Sequence, residues 1–305
     1  MTRILAALLF SALAATTSAA RAEPQPAVGM IAFTHFTRSG SIELFAIRPD
    51  GRAQHPLLRD RSAGDAAWSR DGRRLAFAST TRDQSRQGLM VADADGTNVR
   101  EVTVNRLKNG LGVQDSTPSW SPDGRRLVFV HADPFGTGGR IEVVDLQSGN
   151  RRRLISGRVF NPVWSPNGSK IAFVLRKPRV RTDIYVMNPD GSGVARLTTS
   201  PADDLTPDWS PDGQRIAFTS RRDGDFELYV MNWSGSAQRR VTFLKVDDYG
   251  PSWSGDGKRL AFASKRVRGQ FDIYVTDANG RNQKRVTTNR DHDTDAAWQP
   301  SAGRG

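Results

Sequence analysis

Short apolar runs, each about one strand long and bounded by turn residues, repeat along the whole chain. The clearest copy runs from Asp203 to Ser236, DDLTPDWSPDGQRIAFTSRRDGDFELYVMNWSGS. Pro207-Asp208-Trp209 leads there into Ser210-Pro211-Asp212-Gly213, where proline presets a turn and glycine takes a positive φ without steric cost. Arg215–Ser220 then mixes apolar and small residues at strand length, and Phe226–Asn232 alternates large apolar with polar side chains, which predicts two more strands. Trp233-Ser234-Gly235 signals another turn, and Arg239–Phe243 a short strand rich in β-branched residues. One unit is a four-stranded meander.

Copies of this unit fill the chain. Tryptophan recurs at Trp68, Trp120, Trp164, Trp209, Trp253 and Trp298, in steps of 52, 44, 45, 44 and 45 residues, which is the length of one propeller blade. The first five are followed by SRDG, SPDG, SPNG, SPDG and SGDG, and then by strands such as LAFAST from Leu75 and IAFTSR from Ile216. A sixth such strand, IAFTHF, begins at Ile31 ahead of any tryptophan, while Trp298 has no strand after it. Each supplies what the other lacks. The last strand, Asp295–Gln299, is therefore expected to join three strands near the N-terminus, Ile31–Phe36, Ile42–Ile47 and about Ala53–Leu58. The predicted fold is all-β: a six-bladed β-propeller of four-stranded antiparallel blades, closed by N- and C-terminal strands sharing one blade. The repeated tryptophans, and Phe33, Phe77, Phe129, Phe173, Phe218 and Phe262, are expected to pack blade against blade.

With the tryptophan strand innermost, the SPDG-like turns fall on one face and the loops of variable length on the other, where function is expected. Five residues before four of the tryptophans stand Asp115, Asp204, Asp248 and Asp293. Carried round the ring, these carboxylates would approach the channel mouth and could hold a cation or a partner's basic side chains. Alternatively each orders its own loop. Basic loops from three consecutive blades form a second candidate contact: Arg176, Lys177, Arg179 and Arg181; Arg221 and Arg222; Lys265, Arg266 and Arg268. Between Thr103 and Trp120 about six extra residues, around Arg106–Gly112, are expected to hang over the mouth as a contact or lid. His292, beside Asp293, is the best single candidate for acid–base work there.

Composition narrows the rest. Met1–Ala22 has an early Arg3, an apolar run from Ile4 to Ala15 and an Ala20-Arg21-Ala22 end, the pattern of a secretory signal cleaved before Glu23. The expected domains are the signal at 1–22, the propeller at 23–300 and a short tail at 301–305. Formal charge is +12, and +10 once Arg3 and Arg21 are removed, a balance that attracts anionic partners. Export argues against nucleic acid as the partner. Cysteine is absent and histidines number four, so zinc spacings and a thiol nucleophile are excluded. Neither G-x-S-x-G nor a phosphate-cradling G-x-x-x-x-G-K-[ST] occurs.

W-S-P-D-G followed by I-A-F and I-Y-V-M-N, in imperfect copies round the chain, resembles the TolB-type β-propeller, whose repeats are also called WD40-like or PD40. The resemblance covers nearly all of the chain after residue 22. It implies a periplasmic or secreted platform for other envelope proteins, or the recognition domain of a peptidase. Neither a separate N-terminal domain nor a downstream hydrolase domain is expected within a chain of this length. The expectation is therefore an exported, non-enzymatic binding module, monomeric and not membrane-spanning, that docks an envelope or extracellular protein or an anionic polymer. The alternative is a hydrolase or lyase with a metal-assisted site at the channel. No cofactor is expected beyond a divalent cation that the aspartates could hold there.

Overall fold

The computed structural model describes residues 29–58, 61–81, 83–107, 112–133, 138–177, 181–267 and 269–300. The expected signal and the tail lie outside the described residues. In the first blade β1 (Ile31–Phe36), β2 (Ile42–Ile47) and β3 (His55–Pro56) pair in order. The second contains β4 (Ser62–Trp68), β5 (Arg74–Thr80), β6 (Arg86–Asp93) and β7 (Arg100–Glu101), with β8 (Asn105–Arg106) also against β6. The third runs β9 (Gln114–Trp120), β10 (Arg126–Ala132), β11 (Gly139–Asp145) and the first half of β12 (Arg151–Trp164). Because β12 continues without a break as the innermost strand of the fourth blade, with β13 (Ile171–Arg176), β14 (Thr182–Met187) and β15 (Ala195–Arg196), these two blades form one seven-stranded sheet. The fifth blade holds β16 (Asp204–Trp209), β17 (Arg215–Asp223), β18 (Asp225–Asn232) and β19 (Arg239–Arg240). The sixth holds β20 (Asp248–Trp253), β21 (Arg259–Val267), β22 (Gln270–Asp277) and β23 (Lys284–Arg285). Finally β24 (His292–Trp298) returns to pair with β1, so the first sheet reads β24-β1-β2-β3.

The expected clasp is present, and the innermost strands touch in the cyclic order β4, β9, β12, β16, β20, β24 and back to β4. All six blade phenylalanines are wholly buried, each contributing roughly 2–3 kcal/mol of apolar transfer. The six tryptophans lie across the blade joins. Trp120 Nε1 donates to the Ala67 carbonyl of the preceding blade at 3.0 Å, and Trp68 Nε1 to that of Ala297 at 3.1 Å. The arginine six residues past one tryptophan covers the ring of the next, as Arg74 does Trp120 and Arg215 does Trp253, both at 4.5 Å.

The outermost strands are shorter than expected: Arg239–Phe243 pairs only at Arg239 and Arg240. A buried threonine explains this. Thr242 Oγ1 accepts the Leu228 amide at 2.9 Å in place of a backbone carbonyl, and Thr103, Thr198 and Thr287 do the same in their blades. The chain then leaves the sheet and crosses to the next innermost strand, leaving little open edge. The extra residues after Thr103 do not form the expected lid where they are described. Asn105 and Arg106 pair with β6, and residues 108–111 lie outside the described residues.

Glycine sets the spacing between blades where one blade's outer turn meets its neighbour. Gly280 (φ +89°) sits so close to the preceding blade that a Cβ there would lie 2.1 Å from the Val241 carbonyl oxygen; at Gly149 (φ +72°) nothing stands within 4 Å. Gly280→Ala should therefore destabilise by about 3 kcal/mol or more, and Gly149→Ala by about 1 kcal/mol. Denaturant unfolding checks this, and equal losses at the two positions would contradict the close-approach explanation.

Candidate functional site

Every innermost strand carries one extra residue relative to its partner. Leu205 faces Thr219 and Asp208 faces Ala217, three steps against two, and the same shift recurs in the other five blades. The bulge puts the residue three before each tryptophan into the left-handed region: Asp65, Thr117, Asn161, Thr206 and Asp295 at φ between 46° and 53°, and Gly250 at 62°. Bulges of this kind re-aim side chains, and here they aim them at the axis. The residues at and just before the tryptophans line a central cavity of about 530 Å³.

Three of those lining residues are acids, Asp65, Asp208 and Asp295. Asp65 Oδ2 accepts the Thr117 amide at 3.2 Å, and Asp208 Oδ2 that of Trp253 at 2.8 Å. Burial, reinforced by the neighbouring charge of Asp295, pushes the Asp65 carboxyl up to about 7, and burial alone pushes Asp208 up to about 7. Water reaches Asp295 along the channel, yet protein encloses it, and that confinement raises its carboxyl too. The indoles of Trp164, Trp209 and Trp253 border this cavity from the blade joins, at least nine-tenths buried. Their N–H groups find no acceptor among the described residues, unlike those of Trp68 and Trp120. Ordinarily such buried donors are paired. At the opposite mouth Arg70 donates to the carbonyl of Pro166, reaching from the second blade to the fourth. The channel thus offers three acidic side chains, at or just after the bulges, and a guanidinium at its far end.

The four aspartates expected at the mouth are elsewhere. Asp115, Asp204, Asp248 and Asp293 are wholly buried and none lines the cavity. An odd separation of five would place each opposite its tryptophan. The extra residue of the bulge restores the phase, so both face the preceding blade. There Asp204 lies near Asp183, Asp248 near Glu227 and Asp293 near Asp272. Each is met by a base: Asp204 by Arg222 at 3.1 Å, Asp248 by Arg266 at 3.0 Å, Asp293 by His35 and Asp115 by His131, both at 2.6 Å. Arg222 and Arg266, expected in an exposed patch, are thus internal partners. Their second nitrogens donate to Gln238 and Gln283 at 2.7 and 2.6 Å.

Arg181 remains exposed, 3.9 Å from Asp203; Arg179 and Arg268 lie outside the described residues. His292 is exposed, and its Nδ1 accepts the Phe271 amide at 3.3 Å, so it forms no pair with Asp293. Among the described residues no three His, Asp or Glu side chains converge as metal ligands would. The channel acids had one signal in the sequence: the tetrapeptide DAAW occurs twice, at Asp65–Trp68 and Asp295–Trp298.

A family profile described as the TolB beta propeller domain matches residues 72–254. The Tol-Pal system protein TolB of Thioalkalivibrio sulfidiphilus is 38% identical over 90 residues, 29% of this chain and 19% of that relative. The chain thus covers about a fifth of the length of that curated relative. TolB of Acinetobacter baumannii superposes with a TM-score of 0.77 at 22% identity, over 90% of this chain and 67% of that one. An oligogalacturonate lyase in complex with manganese shares the fold at a TM-score of 0.58 and 17% identity, over 83% and 72% of the two chains.

A carboxyl raised from 3.8 to about 7 binds its proton more tightly in the folded chain. Its contribution to stability is therefore complete below pH 3.8 and lost as pH rises through 7. Asn at position 208 keeps the acceptor for Trp253 and cannot ionise. Asp208→Asn should melt about 3–8 °C above the parent at pH 8, with the gap closing towards pH 4. A variant that melts lower at pH 8, or a gap independent of pH, would show that Asp208 is not held in this way.

Proposed function

The chain belongs to the TolB β-propeller domain family, and from that premise we propose that it is an exported docking module for another envelope protein. The site is the central channel, entered from the variable-loop face. One observation carries this proposal: in a chain with a formal charge of +12, three acidic side chains, Asp65, Asp208 and Asp295, are gathered in one channel. An extended partner segment with a lysine or arginine suits that arrangement. Its cation would meet Asp65 and Asp295. The basic exterior would tend to orient a partner whose remaining surface is acidic. Export through a cleaved segment 1–22 would bring the module to the compartment where such partners are found. A metal-assisted hydrolase or lyase on the same scaffold gains no comparable support, since no three potential ligands converge among the described residues.

Capture from envelope extracts, with the chain starting at Glu23 as bait, tests the proposal. A partner should be retained by the parent, and binding should fall at least tenfold with Asp65→Asn/Asp295→Asn. Asp83→Asn, an exposed acid away from the cavity, should leave capture unchanged. Capture that ignores the channel pair would remove the channel from the docking site.

A further inference from the structure

The variable-loop face bears an apolar tip that the channel does not use. Seven large apolar side chains are exposed among the described residues; five of them, Phe36, Val104, Phe160, Phe243 and Leu244, stand on this face. The most exposed is Phe243, at 65%, followed by its neighbour Leu244 at 48%. Both sides of this tip are fixed. Thr242 is buried and hydrogen-bonded to Leu228, while Asp247 accepts the Phe226 amide through its side chain at 3.3 Å and the Lys265 amide through its carbonyl at 3.0 Å. Residues 243–246 therefore project between two anchors, tightened by a bond from the Val246 amide to the Leu244 carbonyl at 2.9 Å.

The repeat supplies its own control. The corresponding residues are Thr199-Ser200-Pro201-Ala202 in the fourth blade and Thr288-Asn289-Arg290-Asp291 in the sixth, against Phe243-Leu244-Lys245-Val246 in the fifth. Blade packing does not require large apolar side chains there, so Phe243 and Leu244 serve something outside the fold. Charge says what kind of surface. Arg176, Lys177, Arg181, Arg221, Lys245 and Lys265 are exposed on the loops of these three blades. Among the described residues of those loops, Asp223 is the one exposed carboxylate, and Arg240 pairs with it at 3.2 Å. The Arg240 guanidinium also lies over the Phe243 ring, at 5.1 Å.

We propose that this sector adsorbs to an anionic phospholipid bilayer. Phe243 and Leu244 enter the boundary between headgroups and acyl chains, and the surrounding bases hold lipid phosphates. A convex, rigid tip with aromatic and aliphatic side chains ringed by lysine and arginine suits an interface that yields around it. A protein partner would need a pocket of matching shape. Adsorption turns the channel mouth towards the membrane, but it does not depend on channel docking.

Flotation of the chain starting at Glu23 with vesicles of phosphatidylcholine alone, or with one-third phosphatidylglycerol, tests the proposal. Binding should require the anionic lipid and weaken steeply with salt. Phe243→Ser/Leu244→Ser should reduce it about tenfold without lowering the melting temperature, whereas Trp233→Ser, an equally exposed side chain on the opposite face, should not change it. Three results would each overturn the assignment: no binding of the parent to anionic vesicles, equal binding by the double variant, or equal loss with Trp233→Ser. Lipid-free self-association of the parent that the double variant lacks would assign the tip to a second copy of the chain instead.

Discussion

The ladder between β1 and β24 is the contact on which the rest of the structure depends. Each blade buries one face against the next, so an open row of blades would leave two apolar faces in water. Pairing Ile31 with Trp298 and Phe36 with His292 removes both ends at once. Met30 and Gln299 extend the seam, the Gln299 amide donating to the Met30 carbonyl at 2.8 Å, and the Gln299 side chain reaches Gly72 of the second blade at 2.8 Å. With the ring closed, six innermost strands converge on one axis and a channel becomes unavoidable.

What the channel contains then follows from backbone geometry. Six left-handed residues at equal places in six blades each cost about 1 kcal/mol or more when they are not glycine. Five of the six are not glycine, so the bulge is a property of the ring rather than a local accident. It divides the acids that precede the tryptophans into two classes. Those five before the tryptophan turn between blades and are met by Arg222, Arg266, His35 or His131, where an unpaired buried charge would be costly. Those at or after the bulge face the axis without a base. The protein is thus basic outside and acidic inside its channel, a separation that favours a cationic segment entering along the axis.

The fold was largely legible in the sequence because its signals are local and repeated. β1 and β2 have the bounds read from the apolar pattern, and the displaced Ile31 strand together with the unpartnered Trp298 revealed the shared blade. Channel chemistry was much less legible. The bulge has no residue signature, since its left-handed position is filled by Asp, Thr, Asn, Thr, Gly and Asp in turn. Counting back from tryptophan with a period of two therefore selects the wrong acids. Arg222 and Arg266 misled for a related reason. Their strands run on to Asp223 and Val267, and side chains that look like loop charges fold back along the strand.

Closure can be read directly by a cross-link, because the chain has no cysteine of its own. Phe36 and His292 are exposed and face each other across the β1–β24 ladder, a separation that a disulfide spans. Phe36→Cys/His292→Cys should oxidise within one molecule and raise the melting temperature, since the bond closes a very long loop. Thiols that stay reduced under oxidising conditions, or that link only different molecules, would mean that the two ends of the chain do not share a blade.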